Sequence, residues 1–206
     1  LYKMDLEFHS ESMKENTNNK KIYNKWSETY DSYVSSLNYS APKKLVERLN
    51  IYDKNKKIRI LDFGCGSGLV GLNLYNKFKD FNIEIVGIDI SSGMLKKAKD
   101  KNIYKELLEV DLVKKKFDKD IINSNNLNQF DYIISCGVFL EGHLDVSIIP
   151  NLQELLNEDG KLLLTIRESY RNKNIDKLEI YCRNRIEEEI EYLNNVKSIL
   201  IIMKKN

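Results

Sequence analysis

A glycine-rich segment between Asp62 and Gly71 holds the residues whose types and spacing most clearly predict chemistry. Glycine lets the backbone turn sharply and approach a ligand closely, because no side chain stands in the way. Two patterns overlap in the segment. Gly66-x-Gly68-x-x-Gly71 matches the fingerprint of dinucleotide-binding loops, whereas Asp62 and Gly64 extend the alternating glycines backwards and add a carboxylate. The segment therefore predicts a cofactor site, and the neighbouring charge must decide which cofactor it takes.

The carboxylate of Asp62 separates two classes of cofactor. A dinucleotide brings a pyrophosphate, which binds backbone N–H groups at a helix N-terminus, and a carboxylate beside that site would repel it. S-adenosylmethionine carries an ammonium and a sulfonium group instead, and both are attracted to a carboxylate. Asp62 can also cap the turn that follows it, and capping is compatible with binding. The sequence thus favours S-adenosylmethionine and disfavours an NAD(P)-dependent oxidoreductase.

Two further acids stand at the ends of the next two predicted strands. Asp89 ends the second strand, where a carboxylate can accept hydrogen bonds from ribose hydroxyls, and Ile90 beside it can cover one face of an adenine. Asp111 ends the third strand together with Leu112, and it can accept from an adenine amino group or serve as a turn residue. Acids after three consecutive strands predict one adenosine-binding edge.

The hydrophobic pattern alternates between strand and helix from residue 58 onwards. Strands are predicted at 58–63, 83–88, 104–110, 130–135, 161–166 and 196–203, and helices at 69–78, 92–99, 148–156 and 176–194. This order predicts an α/β, Rossmann-like fold with a mostly parallel sheet and helices on both faces. Ligands of such sheets bind beyond the carboxyl ends of the strands, which is where the acids fall.

The segment before the first strand predicts an N-terminal helical cap. Apolar and aromatic residues recur at helical spacing between Ile22 and Leu37, and Ser40 can cap a second helix. The first twenty residues are polar and mixed in charge, which predicts a flexible segment. The expected organisation is a flexible segment (1–20) and a single domain (21–206), made of the cap (21–57) and the α/β core (58–206).

Together these motifs resemble the class I S-adenosylmethionine-dependent methyltransferases. The matching segments are 60–68, 87–91, 110–112, 130–134 and 157–164. More narrowly, the chain is similar to the Williams–Beuren-region methyltransferase-like group, through residues 68–71, 140–142, 149–150 and 164–167. The resemblance implies methyl transfer but names no acceptor. The family usually ends in an antiparallel pair of strands, whereas only one final strand is predicted here.

The resemblance also implies which residues hold the cofactor. Asp62 and Gly64 would bind the methionine ammonium group, and Asp89 would bind the ribose. The other implied contacts are Cys65, Gly66 and Gly68 in the loop, Ile90, Met94, Asp111 and Leu112 around the adenine, Cys136 and Gly137 at the methionine end, and Trp26 and Tyr30 in a helix over the cofactor. The two cysteines fit as small neutral fillers, and the two aromatic residues fit a core as well as a lid.

Three polar residues follow the fourth and fifth strands, where an acceptor would enter. His143 is the candidate general base because its ordinary pKa lies near neutrality, with Glu141 as its companion. Arg167 could hold an acidic acceptor or could pair with a neighbouring glutamate. An exposed loop position explains His143 equally well.

Composition narrows the class of protein further. The 206 residues carry 33 Lys+Arg and 31 Asp+Glu, a net charge of +2, which is too balanced for a protein whose main partner is nucleic acid. No apolar run approaches the roughly 18 residues of a membrane span. The three cysteines have neither disulfide nor zinc spacing, so we expect no metal and a cytoplasmic location. The predicted function is methyl transfer to a small-molecule acceptor, with a non-catalytic cofactor-binding module as the alternative.

Overall fold

A computed structural model of the protein describes residues 2–111, 127, 129–194 and 196–205. The helices in these ranges are α1 (Tyr2–Ser12), α2 (Asn19–Trp26), α3 (Tyr30–Ser36), α4 (Ala41–Glu47), α5 (Leu69–Phe78), α6 (Ser92–Asp100), α7 (Ile149–Glu154), α8 (Glu168–Lys173) and α9 (Ile175–Tyr181). The strands are β1 (Ile58–Phe63), β2 (Ile83–Asp89), β3 (Glu106–Glu109), β4 (Phe130–Phe139), β5 (Leu156–Arg167), β6 (Ile186–Leu193) and β7 (Val196–Lys204). None of the described helices is long and apolar enough to cross a membrane.

The described strands form one sheet in the order β3-β2-β1-β4-β5-β7-β6. The first five are parallel to their neighbours, and β7 runs antiparallel to both β5 and β6. The predicted fold class, α/β and Rossmann-like with a mostly parallel sheet, is therefore confirmed. The strand order reverses between β1 and β4, and a reversal of this kind opens a crevice for ligands at the carboxyl ends of the strands.

Helices cover both faces of the sheet because the central strands are apolar on both sides. In β1, Leu61 and Phe63 pack towards the face that α7 and α9 cover. Ile58 and Ile60 pack towards the face that α4 and α5 cover. Alternate residues of a strand point to opposite faces, so a strand buried on both sides needs apolar residues at successive positions.

Helix α5 shows how the core fixes the glycine-rich segment that precedes it. Val70, Leu74 and Phe78 recur every four residues, so they share one face of the helix, and all three are buried. Gly68 caps the helix in the left-handed conformation, at φ +93°. We expect Leu74→Ala to cost about 2–5 kcal/mol, as is usual for buried leucines. The packing of α5 thereby holds the loop against the end of β1.

The structure of the C-terminal region differs from the predicted long helix and single final strand. The sequence predicts a helix over 176–194, but α9 ends at Tyr181 and an antiparallel pair, β6 and β7, follows. Glutamates favour helices locally, yet Ile190 and Tyr192 lie two residues apart and pack on one face of the sheet. Burial of that face outweighs local propensity. The expectation of a single final strand was therefore wrong, and the terminal pair typical of the family is present.

The N-terminal region corrects another prediction. Residues 1–20 were expected to be flexible, but α1 packs against the cap through polar groups. The Asp5 side chain is only 4% exposed, and it accepts hydrogen bonds from Trp26 Nε1 at 3.0 Å and from the Thr29 hydroxyl. His9 Nδ1 lies 3.0 Å from the Tyr33 hydroxyl. A hydrophobic pattern cannot reveal a helix whose anchors are polar, which is why the sequence missed it.

Candidate active site

The loop that follows β1 holds a carboxylate with an unsatisfied oxygen. Asp62 is fully buried, and the Tyr104 hydroxyl donates to its Oδ2 at 2.6 Å. Its Oδ1 is buried and accepts no hydrogen bond from any residue that the structure describes. Burial raises the pKa of Asp62 to about 7, although the Tyr104 hydrogen bond lowers it. A buried acceptor left unpaired is costly, so the site fits a ligand that brings a cationic donor such as an ammonium group.

Open space lies beside the middle of the same loop. Gly66 has φ +53°, and a Cβ added there would meet no atom within 4 Å. Its N–H donates to Asp89 Oδ2 at 2.8 Å, which ties the loop to the end of β2. By contrast, the buried Cys65 lies close to Gly87 in β2, and burial raises the pKa of its thiol. Cys65 thus fills space, while Gly66 leaves a ligand-sized approach to the backbone.

Asp89, the predicted ribose-binding acid, lies at the end of β2. Its Oδ1 accepts from the Ser91 N–H at 2.9 Å and its Oδ2 from the Gly66 N–H, whereas a carboxylate offers about four lone-pair sites. Burial raises the pKa of Asp89, against the lowering effect of backbone N–H groups from Ser91, Gly66 and Ile90. Ile90 itself is half-buried beside it. Asp89 therefore still has acceptor capacity for hydroxyl groups.

The adenine-side residues differ in how the structure treats them. Met94 is only 1% exposed and sits in the first turn of α6, whose N-terminus Ser91 caps. Asp111 is half-buried shortly after β3. Leu112 lies outside the described residues. The roles predicted for these residues remain predictions.

Side chains from α2 and α3 fasten the cap to three loops at the carboxyl ends of the strands. Asn24 Oδ1 accepts from the Ser91 hydroxyl at 2.7 Å and from the Gly93 N–H at 2.9 Å, after β2. Asp31 accepts from the Ser67 hydroxyl in the glycine loop. Asn19 Nδ2 donates to the carbonyl of Gly142, after β4, at 2.6 Å. The cap is thus hydrogen-bonded to the loops that hold the predicted cofactor residues.

A cavity lies between the cap, α1 and the sheet. The non-atom space there amounts to about 450 Å³ when the open solvent at its mouth is counted, so it is a partly open cleft. Its wall is rich in aromatic side chains, namely Tyr23, Trp26, Tyr30, Tyr33, Tyr39 and Tyr192. Of the predicted cofactor residues, Gly137, Trp26 and Tyr30 line the cavity, whereas the glycine loop and Asp89 do not. Trp26 and Tyr30, predicted to cover the cofactor, pack edge to face with ring centroids 5.0 Å apart in this wall.

Arg167, at the end of β5, supplies the positive charge of the cavity. Among the described residues its guanidinium meets no carboxylate, and its one polar contact is a weak one, from Nη1 to the Met13 sulfur at 3.8 Å. The sequence-based alternative, a pair with Glu141 or Glu168, is absent from the described structure. The field of Arg167 lowers the pKa of His9 and of His143, in both cases after the larger effect of burial. The cavity therefore carries a charge that it does not neutralise.

The two candidate catalytic residues do not line the cavity. His143 Nδ1 lies 3.0 Å from the Glu141 carbonyl, and its Nε2 lies 2.8 Å from the Tyr23 hydroxyl. A carbonyl can only accept, so Nδ1 carries the proton, and burial lowers the pKa of the ring. Tyr23 must then donate to Nε2. The Glu141 carboxylate points to Ser169 and Lys173 instead. Both ring nitrogens of His143 are thus engaged, which leaves no lone pair for a general base.

Near the end of β4, Cys136 and Gly137 meet two tyrosines that the sequence did not single out. The Cys136 sulfur lies 3.3 Å from the Tyr39 hydroxyl, which in turn lies 3.2 Å from the Tyr192 hydroxyl. Burial raises the pKa of the Cys136 thiol to about 12, so it remains a neutral thiol. Tyr192 was hidden inside a predicted helix, and only the strand-like alternation of Ile190 and Tyr192 could have revealed it.

Comparison with known proteins adds independent observations. A family described as "Methyltransferase domain" matches residues 54–204. Malonyl-[acyl-carrier protein] O-methyltransferase 2 of Ilyobacter polytropus is 31% identical over 189 residues, which cover 86% of this chain and 65% of that protein. Methyltransferase-like protein 27 of Homo sapiens, a member of the Williams–Beuren-region group, is 29% identical over 153 residues, 73% of this chain and 58% of that protein. The chain spans less than two thirds of the length of either relative.

The fold has solved counterparts as well. A TehB-like SAM-dependent methyltransferase from Corynebacterium glutamicum superposes with a TM-score of 0.59, covering 87% of this chain and 98% of that one. Its sequence identity is 18%, so the likeness is one of fold.

Proposed function

The chain belongs to the class I S-adenosylmethionine-dependent methyltransferases, and from this we propose that it methylates the carboxylate of a small acyl acceptor bound in the aromatic cavity. This family membership replaces the alternative of an NAD(P)-dependent oxidoreductase. The family's cofactor, S-adenosylmethionine, supplies an electrophilic methyl group on its sulfonium. In this chain Asp62 would hold the cofactor's ammonium group and Asp89 its ribose, because each keeps unused acceptor capacity.

The observation that carries the proposal is the unneutralised guanidinium of Arg167. A half-buried guanidinium whose one polar side-chain contact among the described residues is a thioether gains most from an anionic ligand. Guanidinium groups bind carboxylates through two parallel hydrogen bonds, which also fix the orientation of the carboxylate. The names of several relatives agree with this acceptor, since they are malonyl-[acyl-carrier protein] O-methyltransferases.

The chemistry of a carboxylate also suits the rest of the site. At neutral pH a carboxylate has already lost its proton, so its oxygen can attack without a general base. His143 has no free lone pair to offer, because Nδ1 donates to a carbonyl and Nε2 accepts from Tyr23. An amine or alcohol acceptor would need a group to remove its proton. The arrangement of His143 thus supports an acid as the acceptor.

The change in charge on the acceptor during methyl transfer predicts how Arg167 affects kcat and KM. The acceptor oxygen loses its negative charge as the methyl group arrives, so the ion pair with Arg167 is stronger in the bound substrate than in the transition state. An interaction of that kind serves capture and orientation rather than acceleration. The neutral ester that forms no longer pairs with Arg167, which favours its release.

The proposal is tested with N-acetylcysteamine thioesters of malonic, succinic and glutaric acid, and with the acetyl thioester as the acceptor that lacks a terminal carboxylate. Formation of S-adenosylhomocysteine is measured for the wild type, Arg167→Gln and Arg171→Gln. Arg171 is the matched control because it pairs with Glu187 at 2.7 Å, away from the cavity. We expect turnover of an acid but not of the acetyl thioester. Arg167→Gln should raise KM by roughly 10- to 150-fold, the range for a lost hydrogen bond to a charged group, with a smaller change in kcat.

Three results would count against this proposal. Equal turnover of the acetyl thioester would mean that the carboxylate is not recognised. Tight cofactor binding without turnover of any acid would favour the alternative of a non-catalytic cofactor-binding module. Unchanged kinetics in Arg167→Gln would remove Arg167 from the site even if an acid is methylated.

A further inference from the structure

A directed chain of hydrogen bonds runs from the backbone of β4 into the cavity. The Gly137 N–H donates to Thr165 Oγ1 at 3.0 Å, and the Thr165 hydroxyl donates to the Cys136 sulfur at 3.8 Å. Cys136 then meets the Tyr39 hydroxyl, and Tyr39 donates to Tyr192. The bonds from Thr165 to Cys136 and from Tyr39 to Tyr192 have a defined direction, and since the one proton of Tyr39 goes to Tyr192, Cys136 must be the donor between Cys136 and Tyr39.

When each hydroxyl and thiol hydrogen of this chain is assigned to an acceptor, one hydroxyl hydrogen has none among the described residues. The Thr165 hydroxyl donates its one hydrogen to the Cys136 sulfur. Cys136 therefore accepts from Thr165 and donates its own S–H to Tyr39. Tyr39 therefore accepts from Cys136 and donates its own O–H to Tyr192. Tyr192 accepts, and its O–H has no acceptor among the residues that the structure describes. The last donor of the chain is thus free, and hydrogen bonds aligned in one direction strengthen each other.

The free hydroxyl belongs to a residue that lines the cavity, and it lies against a glycine. Tyr192 lines the same cavity as Arg167 and Gly137. A Cβ added at Gly137 would lie 2.5 Å from the Tyr192 oxygen and 3.0 Å from the Tyr39 oxygen, and Gly137 has φ +73°. Only glycine accommodates both that backbone angle and the close approach of the hydroxyl. The rings of Tyr39 and Tyr192 pack edge to face with centroids 4.9 Å apart, which restrains Tyr192 further.

We propose that Tyr192 is a specificity-determining residue that donates its O–H to the acceptor carboxylate, and that it acts together with Arg167 to select acids and to orient them. This rests on the carboxylate acceptor proposed above. Tyr39 is a positioning residue, because it touches Tyr192 and orients its proton. Tyr39 belongs to the cap and Tyr192 to the terminal hairpin of β6 and β7. The proposed acceptor contacts therefore come from parts of the chain other than the glycine loop and the acids that would hold the cofactor.

The phenol is suited to this role because it stays protonated. Burial raises the pKa of Tyr192 well above its ordinary value, and the nearby Arg167 opposes that rise only partly. Burial likewise raises the pKa of Tyr39. Both hydroxyls therefore donate across the physiological pH range, and the selection of acids should not depend on pH through them.

The test is calorimetric binding of the malonyl and acetyl N-acetylcysteamine thioesters to protein saturated with S-adenosylhomocysteine. The variants are Tyr192→Phe, Tyr39→Phe, Arg167→Gln and the control Tyr52→Phe, in which the hydroxyl removed belongs to a side chain that is 86% exposed. We expect Tyr192→Phe to weaken the malonyl thioester about tenfold or more. Tyr39→Phe should have a smaller effect, while Tyr52→Phe should have none. Affinity for S-adenosylhomocysteine and for the acetyl thioester should stay within about twofold in Tyr192→Phe, because a lost hydroxyl contact affects only the acid that used it.

The outcomes separate the two proposals. If the wild type prefers the malonyl thioester and Arg167→Gln abolishes the preference while Tyr192→Phe keeps it, the role of Tyr192 is refuted and the proposed function stands. If the wild type shows no preference for the acid, the proposed function itself falls. Equal weakening of both thioesters by Tyr192→Phe would mean that the hydroxyl only supports the fold of the cavity.

Discussion

Replacing Asp62 by asparagine should change stability and cofactor binding in opposite directions, with a pH dependence that identifies the cause. Asp62 is fully buried, and burial raises its pKa from the ordinary 3.8 to about 7. Below pH 3.8 the carboxyl group is protonated in the folded and the unfolded chain alike. Between 3.8 and about 7 the unfolded chain loses this proton while the folded chain keeps it, so stability falls as the pH rises.

The magnitude follows from the pKa difference. One pKa unit corresponds to about 1.4 kcal/mol, so between pH 5 and pH 8 the wild type should lose on the order of 2–3 kcal/mol that Asp62→Asn does not lose. The asparagine amide leaves an N–H where Oδ1 had no partner, at a cost of about 1–3 kcal/mol. That cost does not vary with pH, so it cancels when the difference between variant and wild type is compared at the two pH values.

Two measurements check this reasoning. Urea unfolding of the cofactor-free proteins at pH 5 and pH 8 gives the stability difference. Calorimetry with S-adenosylhomocysteine between pH 6 and 7.5 should show wild-type affinity rising as Asp62 ionises, and no rise in Asp62→Asn. Methylthioadenosine, which lacks the ammonium group, should bind both proteins alike.

Parallel pH profiles in the two proteins would refute the burial argument. Equal losses of affinity for both ligands would reduce Asp62 to a turn residue.

Two further predictions concern the ribose site and the cap. Asp89→Ala should weaken S-adenosylhomocysteine by about 1.5–3 kcal/mol, and it should lower the melting temperature because Asp89 also accepts from the Gly66 and Ser91 N–H groups; wild-type affinity in the folded variant would contradict the assignment. Hydrogen exchange in residues 22–37 should slow more than exchange in the sheet when S-adenosylhomocysteine binds, and the fluorescence of Trp26, the one tryptophan, should respond; binding without either change would make the cap plain core.

The parts of the fold that the sequence predicted are those with strong local signals. The predicted bounds of β1 and α5 agree with the structure because strand alternation, the glycine loop and four-residue spacing coincide there. By contrast, β6 carries Glu187, Glu188 and Glu189 in succession, which reads locally as helix. Its strand conformation depends on pairing with β7 and on burial of Ile190, neither of which is visible in a local window.

The site residues likewise fall into those with a local sequence signal and those without one. Asp62 and Asp89 were found because they follow strands, and strand ends in a parallel sheet meet at one edge. The cavity residues His9, Tyr39 and Tyr192 were missed because they come from α1, the cap and the terminal hairpin, which meet only in the folded chain. His143 was predicted as a base from its ordinary pKa, whereas burial lowers that pKa in the fold and both ring nitrogens contact other groups, the Glu141 carbonyl and the Tyr23 hydroxyl.

The cap joins the two halves of the site, and this implies an order of binding. The same helices that are tied to the cofactor loops through Asn24 and Asp31 also supply Tyr23 and Tyr30 to the cavity wall. Without the cap in this position, Ser67 and Ser91 would lack these partners and the cavity would lack much of its aromatic wall. A cofactor that stabilises those loops therefore stabilises the cavity as well, by an amount equal to its preference for the closed state. We expect the acceptor to bind more tightly after the cofactor than before it, because only the closed cap presents a complete wall opposite Arg167.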